Sequence, residues 1–430
     1  MVWVELPDSV PTQQTPEMTA PAPEVDQRVF AILGAGAAGS VAAETLRQEG
    51  FQGKILLITT ESKLPYDRTA LSKKYLQSDS VSAPPSLRSE TFYQQHGIEV
   101  LSDRYVTQVD AEAKTLTFSD GHTLSYDALL LATGGKAKPL DLLGADLENI
   151  FTLHQAGEAA ALLEKAQKAQ KAVILGASFI GMEVAASLSQ QGLEVTVVSL
   201  GTVPFEPILG KQVGQIFQRT HEKKGVRFKL GHKIERFEGD GAVEAAVLDN
   251  GDRLQADLVV AGIGIELATD MIKGIELYEG DRSIVVDDHL EAAPGLYAAG
   301  DIARFPSAQT GEAVRIEHWR LAQQHGQTAA SNMLGKQVPF TGVPFFWSGQ
   351  FELKLRYVGH AESWDDIIYH GDLDQPKFLA FYLQDSQVRA VAGIGRDREI
   401  AAISELMRLQ KMPEAETLRQ GEYDWIAQLS

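Results

Sequence analysis

The 430-residue chain is 44% hydrophobic and 23% charged, the balance of an ordinary folded protein rather than a disordered or membrane-embedded one, and at ~100–200 residues per domain it should hold two to four domains. Its 39 basic against 58 acidic residues leave a net charge of −19, which repels a phosphate backbone and argues against nucleic acid or an anionic membrane surface as a partner. With no cysteine, the sequence offers no disulfide, thiolate nucleophile, zinc-thiolate site or iron–sulfur ligand.

Residues 1–27 contain five acidic residues, five prolines and no Lys or Arg, the wrong charge for a signal or transit peptide, and are expected to form a disordered tail. No apolar run approaches the ~20 residues that cross a bilayer, so a cytoplasmic location is expected. VFAIL (29–33) predicts a buried strand, GAGAAG (34–39) a tight turn, SVAAETLRQ a helix and KILLIT (54–59) a second strand. In such a turn Gly34 permits the bend, Gly36 lets the backbone approach a pyrophosphate and Gly39 permits close helix packing, with Ala35, Ala37 and Ala38 in the same cradle. The helix N-terminus then faces the anion. Glu61, 22 residues past Gly39, stands where a ribose-binding acid is expected.

The same βαβ pattern recurs as AVILG (172–176), SFIGMEVAASLSQQ (178–191) and EVTVVSL (194–200), an internal duplication of one nucleotide-binding design. Ile180, Val184 and Leu188 fall at i, i+4 and i+8 and predict one buried stripe. GASFIG (176–181) keeps Gly176 and Gly181 but has Ser178 at the middle glycine. Its acidic position is taken by Ser199, which cannot accept two ribose hydroxyls as a carboxylate does, and no Lys or Arg follows before Lys211 to hold a 2′-phosphate. The pattern leans toward NADH over NADPH.

Hydrophobic strands ending in small residues follow each copy, YDALLLATGG (126–135) and ADLVVAGIG (256–264), and a third, GLYAAGD (295–301), comes later. These ends mark crossings between domains, with the first domain at 28–148 plus 269–336 and an inserted one at 149–268. From 337 to 430 aromatic-rich strands and one amphipathic helix, REIAAISELMRLQ, predict a separate α+β domain. The expected fold class is therefore α/β, with two Rossmann-like domains, the second inserted in the first, and a C-terminal α+β domain.

PYDRTALSKKYL (65–76), ATGG (132–135), SFIGMEVAA (178–186), AAGD (298–301), RIEHWRLAQQ (315–324) and VPFFWSGQ (343–350) occur in this order. Together they resemble the ferredoxin-reductase and apoptosis-inducing-factor branch of the FAD-dependent pyridine nucleotide oxidoreductases, over about residues 28–415. The resemblance implies FAD in the first domain and NAD(P)H in the inserted one. It implies that Arg68 and Lys73 contact FAD, with Lys73 beside the flavin ring and paired to Glu183, these two being the catalytic pair. A cation there stabilises charge on reduced flavin, and a buried lysine needs a carboxylate to stay charged. Asp301 is implied as acceptor for the ribitol hydroxyls, Thr133 and Gly134 pass the cofactor, and Val106 touches the adenine. Lys138 stands where the family usually has Arg, keeping the charge and losing the planar fork. Glu317, His318 and Trp347 correspond to residues near the isoalloxazine and nicotinamide. Ala177, Ser178, Phe179 and Ile180 line the second cradle, and Gly264 ends the strand facing the nucleotide.

The chemistry implied is hydride transfer from nicotinamide to flavin, followed by single-electron delivery to a small iron–sulfur protein of ferredoxin or Rieske type outside the chain. Relatives that relay through a cysteine are set aside. Two alternatives stay open: an NADH oxidase using oxygen or a quinone, and an FAD- and NAD(H)-binding redox sensor or scaffold with slow turnover. A homodimer is also open. No HExxH, His/Cys cluster or GxSxG elbow occurs, so no metal or acyl-transfer site is expected.

Overall fold

The computed structural model of the chain describes residues 17–421 and 423–429. Strand β1 (Val29–Leu33) enters the first glycine turn, which opens into helix α1 (Ala37–Gln48), and β2 (Lys54–Ile58) returns parallel to β1 with Phe30 opposite Ile55. Both strands are almost wholly buried, which is why they read as continuous apolar runs rather than alternating ones. The sheet extends beyond β2 through β3 (Ile98–Leu101). On the other side of β1 lie β4 (Ala128–Leu131) and then Leu296–Ala298, a strand that returns from far along the chain.

Helix α2 (Ala156–Ala166) leads into the second parallel sheet, centred on β5 (Lys171–Leu175). β5 feeds α3 (Phe179–Gln190) and then β6 (Glu194–Ser199); α4 (Glu206–Lys223) connects to β7 (Arg227–Leu230) at the edge. β8 (Leu258–Ala261) flanks β5 on its other side and pairs with the short strand Ile150–Phe151. All strands of this sheet come from residues 150–261, between the two contributions to the first sheet, so the second Rossmann unit is inserted in the first. The crossings meet in a two-stranded antiparallel ribbon that sets Lys136 opposite Glu266.

The C-terminal sheet is antiparallel, in the order β9 (Phe345–Gln350), β10 (Leu353–Gly359), β13 (Gln387–Ile394), β12 (Lys377–Gln384) and β11 (Asp366–Asp372). β12 is apolar on both faces because each face has a partner. Phe378, Ala380 and Tyr382 join the core of the inserted domain, while Leu379, Phe381 and Leu383 pack under α5 (Asp397–Arg408) with Ile400, Ile403 and Leu406. Tyr66, Leu71, Tyr75 and Leu76, from the segment after β2, enter the same core as α2 and α3. One apolar cluster thus joins parts of all three domains.

Two expectations meet a different arrangement. Of the tail, residues 1–16 lie outside the described residues, but 17–27 run against the end of α1: Thr19 N–H donates to the Arg47 carbonyl at 2.9 Å and Ala22 N–H to that of Gln52 at 2.8 Å. Val184 and Leu188 are fully buried, yet Ile180 is 42% exposed, because it stands in the first turn of α3 before the helix passes under the sheet. Among the described residues no helix is long and apolar enough to cross a membrane.

Candidate active site

The three glycines of the first turn answer to different constraints. Gly34 has φ +112°, and a Cβ there would lie 2.1 Å from the Ala132 carbonyl oxygen; a Cβ on Gly39 would lie 1.8 Å from the Gly34 oxygen. A Cβ on Gly36 would meet nothing within 4 Å. Packing therefore accounts for the outer two, while the middle one, the N-cap of α1, leaves its backbone open to close approach. Ala37 and Ala38 are buried beneath the turn and Ala35 half-buried on it, where the N-terminus of α1 opens.

The end of β4 and the AAGD turn come together beside this cradle. A Cβ on Gly134 would lie 4.0 Å from Asp301 Oδ2, and Thr133 Oγ1 donates to the Ala268 carbonyl at 2.6 Å. Burial, reinforced by the negative Glu317 and opposed by Arg315 and Arg68, pushes the Asp301 carboxyl up to about 7. Among the described residues no hydrogen bond reaches that carboxyl group, which suits a partner rich in hydroxyls. Its backbone is held firmly: Arg315 donates to the Asp301 carbonyl at 3.1 Å, to Glu317 Oε1 at 2.8 Å and to Asp281 Oδ2 at 2.7 Å. Burial works against its charge, yet Ser283 and Arg315 hold Asp281 at about 2. An open glycine, a helix N-terminus and an unclaimed carboxyl fit the pyrophosphate and ribitol of FAD.

Glu61 binds outward and across the domains. Tyr66 Oη donates to its Oε2 at 2.7 Å and also accepts from Ala156 N–H at 2.9 Å, at the start of α2, while Arg68 pairs with Oε1. Arg68 donates onward to the His154 carbonyl at 2.9 Å, and burial followed by the Arg68 charge lowers the His154 pKa. Each Glu61 oxygen keeps a lone pair for a ribose hydroxyl. Val106 packs on the first-domain core close by, since Arg104 N–H donates to the Thr59 carbonyl at 3.0 Å.

Glu183, in α3, gathers side chains from all three domains. Its Oε2 accepts from Lys73 Nζ at 2.7 Å and Ser72 Oγ at 2.5 Å; its Oε1 accepts from Ser348 Oγ, on β9, at 2.7 Å. Lys73 sits at a kink in the wide helical turn Leu71–Tyr75 and also donates to the Thr69 carbonyl at 3.0 Å. The carboxylate is 4% exposed and the ammonium 22%, so the pair is largely withdrawn from water. Phe179 lies beside it, stacked on Phe205 at 4.6 Å and edge-on to Phe346 at 4.8 Å. His318 tilts against Phe346 at 4.5 Å, and burial, then the neighbouring His360, holds it down at about 3 and hence neutral. Glu317 is exposed, and Trp347 borders solvent at 36% exposure.

The second turn repeats the first in its packed glycines. Cβ atoms on Gly176 and Gly181 would lie 2.5 Å and 2.2 Å from the carbonyl oxygens of Gly262 and Gly176. Ser178 is exposed and donates from Oγ to the Gly262 carbonyl at 3.1 Å, Ile180 is exposed beside it, and Ala177 is buried. Ser199 ends β6, half-buried. Lys138 N–H donates to the Gly264 carbonyl at 3.1 Å, and a Cβ on Gly264 would lie 4.0 Å from Lys138 Nζ, so these two residues of separate domains share the crossing ribbon. Ser72, Ser348, Tyr66, His154 and Arg315 join the site without a signal of their own in the sequence. Four of these sit inside or next to the quoted motifs, but nothing local shows which partner each meets.

The pyridine nucleotide-disulphide oxidoreductase family matches residues 29–326, and the reductase C-terminal family matches residues 345–425. The chain is 39% identical over 383 residues to apoptosis-inducing factor 3 of Mus musculus, covering 87% of this chain and 62% of that protein. It is 34% identical over 393 residues to the ferredoxin–NAD(+) reductase component of the biphenyl dioxygenase system of Paraburkholderia xenovorans, covering 91% of this chain and 95% of that one. Against the crystal structure of a ferredoxin reductase from Rhodopseudomonas palustris the TM-score is 0.88 at 30% identity, covering 94% of this chain and 100% of the other. The chain thus spans less than two thirds of the length of apoptosis-inducing factor 3 but nearly all of the bacterial reductases. With both nucleotide-binding units and the C-terminal sheet accounted for, the chain belongs to the pyridine nucleotide-disulphide oxidoreductase family.

Proposed function

We propose that the chain is an FAD-dependent NAD(P)H oxidoreductase that passes electrons to a small iron–sulfur protein of the ferredoxin type, in the cytoplasm. The observation that carries this reading is the Lys73–Glu183 pair at 2.7 Å, set where the segment after β2, the helix of the second glycine turn and the C-terminal sheet meet. FAD would supply the chemistry of hydride acceptance from NAD(P)H and one-electron release. The N-terminus of α1 and Gly36 receive its pyrophosphate, Glu61 its ribose and Asp301 its ribitol. Lys73 supplies a fixed positive charge for the reduced ring, and Glu183 keeps that ammonium in place and charged. Phe179, Phe346 and neutral His318 would form an apolar wall that excludes water from bound cofactor.

The names of the bacterial relatives, both ferredoxin reductases, support the choice of acceptor. The absence of cysteine from this sequence leaves no thiol through which electrons could be relayed. Similarity to apoptosis-inducing factor 3 favours a second reading, a slow redox sensor. Stopped-flow reduction of the purified yellow protein by NADH and NADPH, with ferricyanide and a [2Fe–2S] ferredoxin as acceptors, separates them. Fast reduction with transfer to ferredoxin supports the reductase, slow reduction with nucleotide retained supports the sensor, and folded protein that takes up no flavin overturns both.

A further inference from the structure

We propose that Glu206 reads the adenosine ribose of the nicotinamide nucleotide and selects NADH over NADPH, an inference that rests on the dinucleotide reading above and names its substrate. β6 ends without an acid, at Ser199, but the loop after it folds back on itself. His232 N–H donates to the Ser199 carbonyl at 3.2 Å and Gly231 N–H to the Gly201 carbonyl at 3.1 Å, which fixes the loop's start. Phe205 N–H donates at 3.2 Å to the carbonyl of Ala177, a residue of the second glycine turn, which fixes its end. The loop therefore borders the cradle at the carboxyl edge of the sheet, the side where a Rossmann unit holds its nucleotide.

Glu206 begins α4 from that loop, and its side chain turns back. Oε2 accepts from Thr202 N–H at 2.9 Å and Thr202 Oγ1 at 2.8 Å. A Cβ on Gly201 would lie 3.8 Å from Glu206 Oε2 and 3.9 Å from Ser199 Oγ, so a carboxylate and a hydroxyl flank one glycine at the strand end. The carboxylate that the sequence lacks at residue 199 thus arrives from seven residues further on. Hydrogen bonds from Thr202 hold Glu206 below the usual carboxylate range and hence ionised at neutral pH. Lys211 Nζ stands 3.7 Å from the other oxygen, a loose and exposed contact.

An ionised carboxylate accepts from vicinal ribose hydroxyls and repels a 2′-phosphate. Two basic side chains near the facing strand end are already paired with acids, Lys229 with Asp252 at 2.8 Å and His232 with Asp249 at 2.9 Å. A 2′-phosphate would face the Glu206 carboxylate and find Lys229 and His232 already engaged, with only the loosely held Lys211 beside it.

The test is calorimetric titration of the FAD-loaded protein with NAD+ and, separately, NADP+. Wild type is expected to bind NAD+ roughly tenfold tighter or more. Glu206→Gln should weaken NAD+ roughly tenfold and narrow the ratio, and Glu206→Arg should reverse the preference, with the flavin spectrum confirming that both variants fold. Equal affinities in wild type, or an unchanged ratio in Glu206→Gln, overturn the assignment while leaving the oxidoreductase standing. Failure of wild type to bind either nucleotide overturns both.

Discussion

Ser348, on the first strand of the C-terminal sheet, donates to Glu183 Oε1 at 2.7 Å across 165 residues of sequence. The same hydroxyl accepts from Gln350 Nε2 at 3.0 Å, so it relays between the C-terminal domain and the carboxylate that holds Lys73. Ser348→Ala leaves Oε1 without that donor in a buried setting, which costs about 1–3 kcal/mol. Expected outcomes are a lower Tm and flavin reduction slowed several-fold through a less firmly held Lys73. Ser348→Thr keeps the hydroxyl and should recover the rate. Equal Tm and equal stopped-flow rates for Ser348→Ala would show that the bond does neither job.

Lys73→Ala separates binding from chemistry. FAD should remain, since the glycine turn, Glu61 and Asp301 are untouched, while flavin reduction by NADH slows roughly tenfold to a hundredfold for want of a fixed charge. The variant also leaves the Glu183 carboxylate buried without its counter-ion, so stability falls as well. Adding Glu183→Gln should recover the stability and not the rate. A double variant that reduces as fast as wild type would assign Lys73 to the scaffold alone.

The glycine turn offers a matched pair of substitutions. Gly36 has φ −76°, a value open to any residue, and a Cβ there meets nothing within 4 Å, so Gly36→Ala should fold when flavin is withheld, losing at most about 1 kcal/mol as a poorer helix N-cap. Its methyl group would nevertheless stand between the backbone and a pyrophosphate, and flavin uptake should fall. Gly34→Ala fails in the opposite way, because the methyl group would meet the Ala132 carbonyl at 2.1 Å in a backbone of φ +112°. Soluble yield, Tm and flavin absorbance per protein distinguish the two. Full flavin content in Gly36→Ala would move the cofactor elsewhere.

Much of the fold was legible because its signals are local. Positive-φ glycines at strand ends announce Rossmann turns, and doubly buried strands such as β1 and β5 appear as short unbroken apolar runs. The site was legible where one motif holds a residue and its reason together, as at Gly34 and Gly39. It was not legible where the reason lies a hundred or more residues away. Ser348 reads as a polar position in a strand, and only the packing of β9 against α3 makes it a ligand of Glu183. Glu206 reads as a helix-start acid, since sequence spacing does not show that its loop doubles back to Thr202. Ile180 misled for the converse reason: periodicity marks a helix face but not the turn at which burial begins.

Acid should destabilise the protein through its buried neutral histidines. His325 is fully buried, accepts from Gly300 N–H at 3.3 Å and is pushed by burial down to about 3, as is His318 by burial and His360. In the unfolded chain each protonates near the ordinary value of ~6.5, so each contributes stability that is complete above that pH and is lost progressively as pH falls toward 3. Asp301 acts in the reverse sense. Raised to about 7, its contribution is complete below the unfolded value of 3.8 and is lost as pH rises through 7. Near pH 5 the two histidines therefore outweigh the one carboxyl, and net stability should decline between pH 6.5 and 4, by about 1.4 kcal/mol per pH unit for each net proton. His325→Leu removes one of those protons: it should lower stability at pH 7.5, where the Gly300 N–H loses its acceptor, and flatten the decline below 6.5. Urea unfolding midpoints of both proteins across this range decide the matter, and an unchanged slope in His325→Leu would mean that His325 is already protonated in the folded protein.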